Sequence, residues 1–250
     1  MDKKNIVNHP CVSFKGLQKS AIVLYDIMSY YLPLHGLSCR DFYTCYPVIG
    51  FVEALIYQVA EEVETGRLKK TLWHADWLEK KHDILDILHE NNIDHPKVSL
   101  YLDEIEAYLA AIVKLKHSGP TQHADIMHVA GLRPADFFLL YTIMHCMLNL
   151  TWDDRLFSLL RTDNIWGDLR GSIQEYEDDK VIGRYNTYQM FVILHGEKAP
   201  QHFQAELARY KKRYAEQLAE LPEKEQLIHL EINTRYYQDY PSVPIPKPDY

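Results

Sequence analysis

The chain of 250 residues has few of the features that mark secreted, membrane-spanning or nucleic-acid-binding proteins. Its four cysteines follow neither a CxxC nor a zinc-ligand spacing, which argues against a disulfide scaffold or a zinc finger. The first ten residues, MDKKNIVNHP, lack the apolar segment of a secretory signal, so we expect reduced thiols and a cytoplasmic location. A formal net charge of −8 provides no basic footprint for nucleic acid.

Long apolar runs and alternating strand patterns are also absent. Charges or prolines interrupt the apolar segments, so no transmembrane helix is expected. Apolar residues recur instead with the period of an α-helix along most of the chain. These patterns predict an all-α protein of about ten helices, with a single domain over residues 1–240 and an extended, proline-rich tail over residues 241–250.

Several residues predict where individual helices begin and end. The first helix is expected to stop at Pro33. Ser38 and Asp41 form a capping-box pattern that opens the next helix. Either Thr162 or Asp163 is expected to cap the helix that carries the most acidic segment of the chain.

The segment from Gly167 to Asn186 carries the most informative pattern. Within a single helix, Asp168, Ser172, Glu175 and Asp179 would lie on one face, at offsets of 0, 4, 7 and 11 residues. Carboxylates on one face repel each other unless a cation lies between them. Mg²⁺ prefers oxygen ligands and commonly binds carboxylates together with substrate phosphates. The pattern therefore predicts a Mg²⁺–diphosphate site, and the alternative is a solvated acidic face.

A second acidic segment ends an apolar helix much earlier in the chain. Glu61, Glu62 and Glu64 lie at the carboxyl end of this helix, where the helix dipole disfavours negative charge. Their position gives some support to a functional role, and the alternative is a helix end balanced by Arg67, Lys69 and Lys70. Two apolar helices with acidic ends could face each other and form an ion cluster at the mouth of an apolar cavity.

These two segments resemble the acidic motifs of squalene and phytoene synthases. EALIYQVAEEVETG is similar to the first motif of that family, and IQEYEDDKVIGR is similar to the second. The resemblance places Glu175 and Asp179 at the metal-binding aspartate positions and matches Gly183-Arg184 to the terminal Gly-Arg. Asp168 and Ser172 also resemble part of the metal motif of class I terpene synthases, which share the isoprenoid synthase fold. The resemblance thus implies a helical bundle of the isoprenoid synthase type.

The resemblance also implies an activity and roles for several basic residues. It implies a Mg²⁺-dependent terpene synthase (cyclase) that ionises a polyprenyl diphosphate. Arg133, Lys180, Arg184 and Arg235 would bind the diphosphate of the substrate. Arg235-Tyr236 resembles the Arg-Tyr pair of bacterial terpene synthases, so Arg133, Arg235 and Tyr236 are the candidate catalytic residues. The 18 tyrosines would supply aromatic walls for the hydrocarbon chain.

Three alternatives stay open at this point. One is head-to-head coupling of two prenyl chains, as in squalene and phytoene synthases. Another is an inactive helical homologue that only binds a ligand, because the first segment has glutamates where the family has aspartates. The third is a di-iron bundle that uses Glu61, Glu64, Glu175 and a histidine, although no Glu-x-x-His pair stands at a suitable position. The sequence also leaves a homodimer open.

Overall fold

The computed structural model describes residues 11–67, 72–237 and 244–248, in which helices are joined by short loops and no strand occurs. The all-α prediction is therefore confirmed for these residues. In chain order the elements are α1 (Phe14–Asp26), a π-helical turn (Ile27–Tyr31), α2 (Leu32–Leu34), α3 (Cys39–Glu64), α4 (Trp73–Glu90), α5 (Pro96–Ser118), α6 (His123–Leu132), α7 (Ala135–Leu148), α8 (Asp154–Gln174), α9 (Tyr176–Ile182), α10 (Thr187–His195), a 3-10 turn (Gly196–Lys198), α11 (Ala199–Ala219) and α12 (Glu223–Tyr237).

Helix α7 lies at the centre of the core. Its sequence, ADFFLLYTIMHCML, is apolar on almost every side, and Phe138, Leu139 and Ile143 are fully buried. It packs against both α3 and α5, which enclose it from two directions. Burying each large apolar side chain contributes about 1.5–3 kcal/mol, so this contact region is a major source of stability.

Helix α3 forms a long wall of the core. The predicted capping box is confirmed, because Ser38 Oγ accepts from the Asp41 amide and the Ser38 amide donates to Asp41 at 2.8 Å. The helix continues through Pro47, and the chain leaves it through Gly66, whose φ of +68° suits glycine. By length and composition alone α3 could cross a membrane, and 61% of its most apolar window is buried inside the protein.

The predicted stop of the first helix at Pro33 is wrong. The chain stays helical through a π-helical turn and α2, and α2 ends only at Leu34. Pro33 lies in the first turn of α2, where a proline needs no amide hydrogen, and the wider π turn before it leaves room for the ring. The same turn directs Tyr30 and Tyr31 into the core.

The predicted helix start at Thr162 or Asp163 is also wrong. Both residues are buried in the middle of α8, which already begins at Asp154. Asp153 caps this helix instead, and its carboxylate accepts from the Arg155 amide at 2.9 Å. A buried Asp163 signals a role in the interior rather than at a helix end.

The acidic segment is divided between two helices rather than lying on one. Helix α8 ends at Gln174, and α9 starts at Tyr176, so Glu175 occupies the junction. The junction places the ring of Tyr176 in the core, 5.1 Å from the ring of Tyr188. Gly183 then ends α9 in the left-handed conformation, with φ +69°, as the sequence predicts.

The predicted boundary between domain and tail, at residues 240 and 241, lies outside the described residues. Residues 244–248 form neither helix nor strand, and the Tyr188 hydroxyl donates to the carbonyl of Pro246. This part of the tail is therefore attached to the helical core.

Candidate functional site

A cavity of about 350 Å³ lies between α1, α3, α7, α8 and the segment that joins α9 to α10. The carboxyl-terminal halves of α3 and α8 form two of its walls. The first carries Glu61 and Glu64, and the second carries Asp168 and Ser172, so both acidic segments face the same space. The volume is near the lower end of the roughly 300–1,000 Å³ that is usual for small-molecule sites.

Most of the residues predicted from the sequence line this cavity. Those that do are Glu61, Glu64, Arg133, Asp168, Ser172, Glu175, Asp179, Arg184 and Tyr236. Glu62, Lys180 and Arg235 are exposed and do not belong to the lining. The ammonium of Lys180 lies 5.8 Å from the centre of the Tyr176 ring instead. We therefore leave these three residues out of the site.

Glu61 is surrounded by positive charge. Its carboxylate lies 2.9 Å from Lys15 Nζ and 3.7 Å from Lys19 Nζ, and Arg184 donates to it at 3.0 Å. Burial alone would raise the pKa of this carboxyl, but the three cations outweigh burial and lower the pKa. Glu61 therefore acts as an anchor that holds cations at the cavity wall.

Arg184 links the two acidic segments. Its guanidinium contacts Glu61 of α3 and lies 3.5 Å from Asp179 of α9. Its position follows from Gly183, which turns the chain sharply just before it. The opposite side of Asp179 accepts from Asn186 Nδ2 at 3.0 Å, and Asn186 also donates to the carbonyl of Ser172 at 2.8 Å. The carboxylate of Asp179 is thus fixed on two sides.

Asp168 forms an ion pair with Arg133 across the cavity. Burial raises the pKa of the Asp168 carboxyl to about 6, against the opposing effect of Arg133. Its second oxygen, Oδ2, is buried and has no hydrogen-bond partner among the described residues. Buried polar atoms are almost always paired in proteins, so an unpaired carboxylate oxygen indicates room for a ligand.

Glu64 and Arg133 are connected through a buried tyrosine. The Tyr108 hydroxyl donates to Glu64 Oε1 at 2.8 Å and accepts from Arg133 at 3.1 Å. The Glu64 carbonyl accepts from Lys116 and from the amide of Tyr185. These contacts hold the end of α3 against the loop that follows α9.

The hydroxyl hydrogen of Ser172 is already used in a hydrogen bond within the protein. The hydroxyl donates to the Leu169 carbonyl of its own helix at 2.8 Å. Only its lone pairs remain for an additional contact, so Ser172 is suited to accept a hydrogen bond or to contact a cation.

Further carboxyl groups lie deeper in the protein. Burial raises the pKa of Asp136 to about 7, although its carboxylate accepts from the Phe137 amide at 2.7 Å. The nearby Glu53 is fully buried in α3, and burial followed by repulsion from Asp136 raises its pKa well above the ordinary value. Burial therefore favours the neutral form of both carboxyl groups over the charged form.

Asp163 and Asp26 extend the acidic lining towards α12. The Asp163 carboxylate accepts from the Tyr30 hydroxyl and from Asn233 Nδ2, and burial raises its pKa to about 6. Burial also raises the pKa of Asp26, which accepts from the Tyr236 hydroxyl at 2.7 Å. Of the predicted Arg235-Tyr236 pair, only Tyr236 lines the cavity, where its hydroxyl donates to Asp26.

The sequence interpretation missed several of these groups. Lys15, Lys19 and Asn186 gave no local signal, because each contacts the acids only through the tertiary fold. Glu53 carried a usable signal, since it stands within the apolar stretch FVEALI of a core helix. A lone carboxylate in such a stretch is expected to be buried, and a buried carboxylate is rare unless it is paired or functional.

On the α8–α9 side of the cavity, Asp168, Glu175 and Asp179 offer carboxylate oxygens. Within the described ranges, however, the side chains whose ligand atoms cluster within 4.8 Å are three histidines elsewhere, not these carboxylates. Asp168 has an unpaired buried oxygen, and burial and then repulsion from Asp179 raise the pKa of Glu175. A cation would relieve both effects, and carboxylate oxygens are the ligands that Mg²⁺ prefers. Glu61 fits such a role less well, because its carboxylate is already paired with three cations.

Comparisons of the chain with protein-family models, with curated proteins and with solved structures find no match.

Proposed function

We propose that this protein is a Mg²⁺-dependent terpene synthase (cyclase) that ionises a prenyl diphosphate. The observation that carries the proposal is the meeting of two distant acidic helix ends, with two arginines between them, at one cavity. This arrangement combines carboxylates for a cation with donors for phosphate oxygens. If the acidic segments were only solvated surface, their carboxylates would not line one cavity together with the two arginines.

The arginines are suited to hold the diphosphate. Arg133 and Arg184 both line the cavity, and a planar guanidinium can donate two parallel hydrogen bonds to a phosphate. Each is now paired with a carboxylate, which keeps its side chain in position before the substrate binds. Mg²⁺, when held by Asp168, Glu175 and Asp179, would neutralise charge on the leaving diphosphate.

The cavity has aromatic walls for the hydrocarbon chain. Tyr30, Tyr57, Phe137 and Tyr141 contribute to its lining. When the carbon–oxygen bond breaks, the electron pair leaves with the diphosphate and an allylic cation remains, which aromatic faces stabilise. A volume of about 350 Å³ suits one prenyl chain better than two, so it favours cyclisation over head-to-head coupling.

A cyclase that releases a hydrocarbon must also remove a proton from the cationic product. Asp136 lines the cavity, and its pKa of about 7 is close to the operating pH. A group with such a pKa is well suited to accept a proton. We assign Asp136 as the acceptor, so that loss of the proton leaves an alkene and a neutral carboxylic acid.

One observation favours a second candidate function. Because Lys15, Lys19 and Arg184 already neutralise Glu61, the first acidic segment does not provide the open carboxylates of the resembling families. A protein with this arrangement could bind an anionic diphosphate without breaking it. This is the ligand-binding homologue that the sequence left open.

The proposal is tested by measuring pyrophosphate release from geranyl, farnesyl and geranylgeranyl diphosphate with Mg²⁺. Replacing Glu175 by Gln should abolish release, because it removes a carboxylate that faces the cavity. Glu177→Gln is the matched control, since Glu177 lies two residues away on α9, is exposed and does not line the cavity. It should retain the wild-type rate.

Three outcomes are distinguishable. Release that depends on Glu175 and not on Glu177 supports the enzyme. Binding of the diphosphates by calorimetry, with no release at any chain length, supports the binding protein and refutes the cyclase. Equal rates in both variants would refute the assignment of Glu175 to the metal.

A further inference from the structure

Three histidines from three helices meet at a surface remote from the cavity. His123 begins α6, His195 ends α10 and His202 lies in the first turns of α11. One ligand atom of each ring lies within 4.8 Å of the others. None of the three lines the cavity. With a rise of about 1.5 Å per residue, the length of α6 puts His123 roughly 15 Å from Arg133 at the other end of the helix.

The rings are arranged side by side rather than scattered. His195 and His202 are stacked, with ring centroids 3.9 Å apart. The ring of His123 lies 5.6 Å from that of His195 and 6.3 Å from that of His202. Gly196 permits this arrangement, because its φ of +56° and ψ of −132° turn the chain between α10 and α11 in a way open to glycine.

One ring nitrogen of the cluster is left without a partner. His195 Nε2 is buried and forms no hydrogen bond within the described part of the chain. Burial, together with the neighbouring His202 and His123, lowers the pKa of His195. A neutral imidazole with an unused ring nitrogen is the form that binds a transition metal.

A carboxylate supports the third ring. His123 Nε2 and Glu206 Oε1 are 3.0 Å apart, and Glu206 in turn pairs with Arg209. Carboxylates of this kind orient metal-binding histidines and fix which ring nitrogen carries the proton. The Phe191 ring packs edge-on against His123 at 4.9 Å and limits its rotation.

We propose that His123, His195 and His202 form a binding site for Zn²⁺ or a similar nitrogen-preferring divalent metal. Imidazole suits Zn²⁺, Cu²⁺ and Ni²⁺, whereas Mg²⁺ requires oxygen ligands, so this site is chemically distinct from the acidic cavity. Zinc–nitrogen bonds are about 2.0–2.1 Å long, and ligand atoms that all lie within 4.8 Å of one another are close enough to bind one ion.

The metal would join the ends of three helices. Helix α10 begins at Thr187 in the cavity lining and ends at His195, and α6 begins at His123 and leads to Arg133. A bound ion would therefore fasten the outer ends of two helices whose inner ends form the cavity. Its expected effect is a higher melting temperature, because a ligand that binds only the folded state stabilises it.

The test uses full-length, untagged protein that has been freed of metal by a chelator. Titration with ZnCl₂ is followed by calorimetry and by thermal melting, with excess Mg²⁺ present to occupy the carboxylates. Wild-type protein should bind one Zn²⁺ with an increase in melting temperature. His202→Gln should weaken binding by at least about tenfold, and Glu206→Gln by about 10–100-fold.

His128→Gln is the matched control. His128 is exposed on α6, five residues beyond His123, and is not part of the cluster. Its affinity for Zn²⁺ should equal that of the wild type. Equal binding by the wild type and His202→Gln would mean an adventitious ion only and would overturn the proposal, as would no binding at all. His202 is exposed, so its replacement leaves the fold intact.

Discussion

The buried carboxyl of Asp163 allows a quantitative test of how much an ionised group at the cavity lowers the free energy of unfolding. Its side chain is 1% exposed in the middle of α8, and burial raises its pKa from 3.8 to about 6. The folded state therefore holds the proton more tightly than the unfolded state. The stabilisation from this group is full below the unfolded pKa and is lost as the pH rises through the folded pKa.

The size of the effect follows from the pKa difference. A shift from 3.8 to about 6 corresponds to about 3 kcal/mol at pH values above both pKa values. An asparagine at this position would resemble the protonated aspartic acid, and it keeps a carbonyl to accept from Tyr30 or Asn233. Asp163→Asn should therefore stabilise the protein by about 2 kcal/mol at pH 5 and about 3 kcal/mol at pH 8.

Urea denaturation, followed by circular dichroism over this pH range, measures the difference. Asp178→Asn, at an exposed position on α9, is the matched control for the change of side chain. A stability difference that does not grow with pH, or a variant less stable than the wild type at pH 8, would refute the reasoning. A carboxylate that lowers stability at neutral pH, inside a cavity, is typical of a functional site.

Two further predictions concern the supports of the site. Gly183→Ala forces a side chain into a position with φ +69°, where no neighbouring atom obstructs it, so it should destabilise by about 1–2 kcal/mol through backbone strain alone; a neutral effect in thermal melting would contradict this. Tyr108→Phe removes the hydroxyl between Glu64 and Arg133 and should destabilise by about 1–3 kcal/mol. The same variant should raise the KM for a prenyl diphosphate, because Arg133 loses a support, and an unchanged KM would argue against Arg133 as a phosphate ligand.

The local helix signals in the sequence were mostly reliable. The capping box at Ser38 and the glycine stop at Gly183 are both present, because each depends on contacts within a few residues. Pro33 misled the interpretation, since a π-helical turn made room for its ring. Asp163 misled it as well, because aspartate favours helix caps and its burial depends on helices far away in the sequence.

The sequence by itself determined an all-α chain with two acidic helix ends and the arginine that follows Gly183. Helical period and capping are local properties, so they can be identified from the order of residues. Only the tertiary structure decided that Lys15, Lys19 and Arg184 neutralise Glu61, or that three distant histidines meet. Those pairings depend on how the helices pack against one another, and no local pattern in a single sequence encodes them.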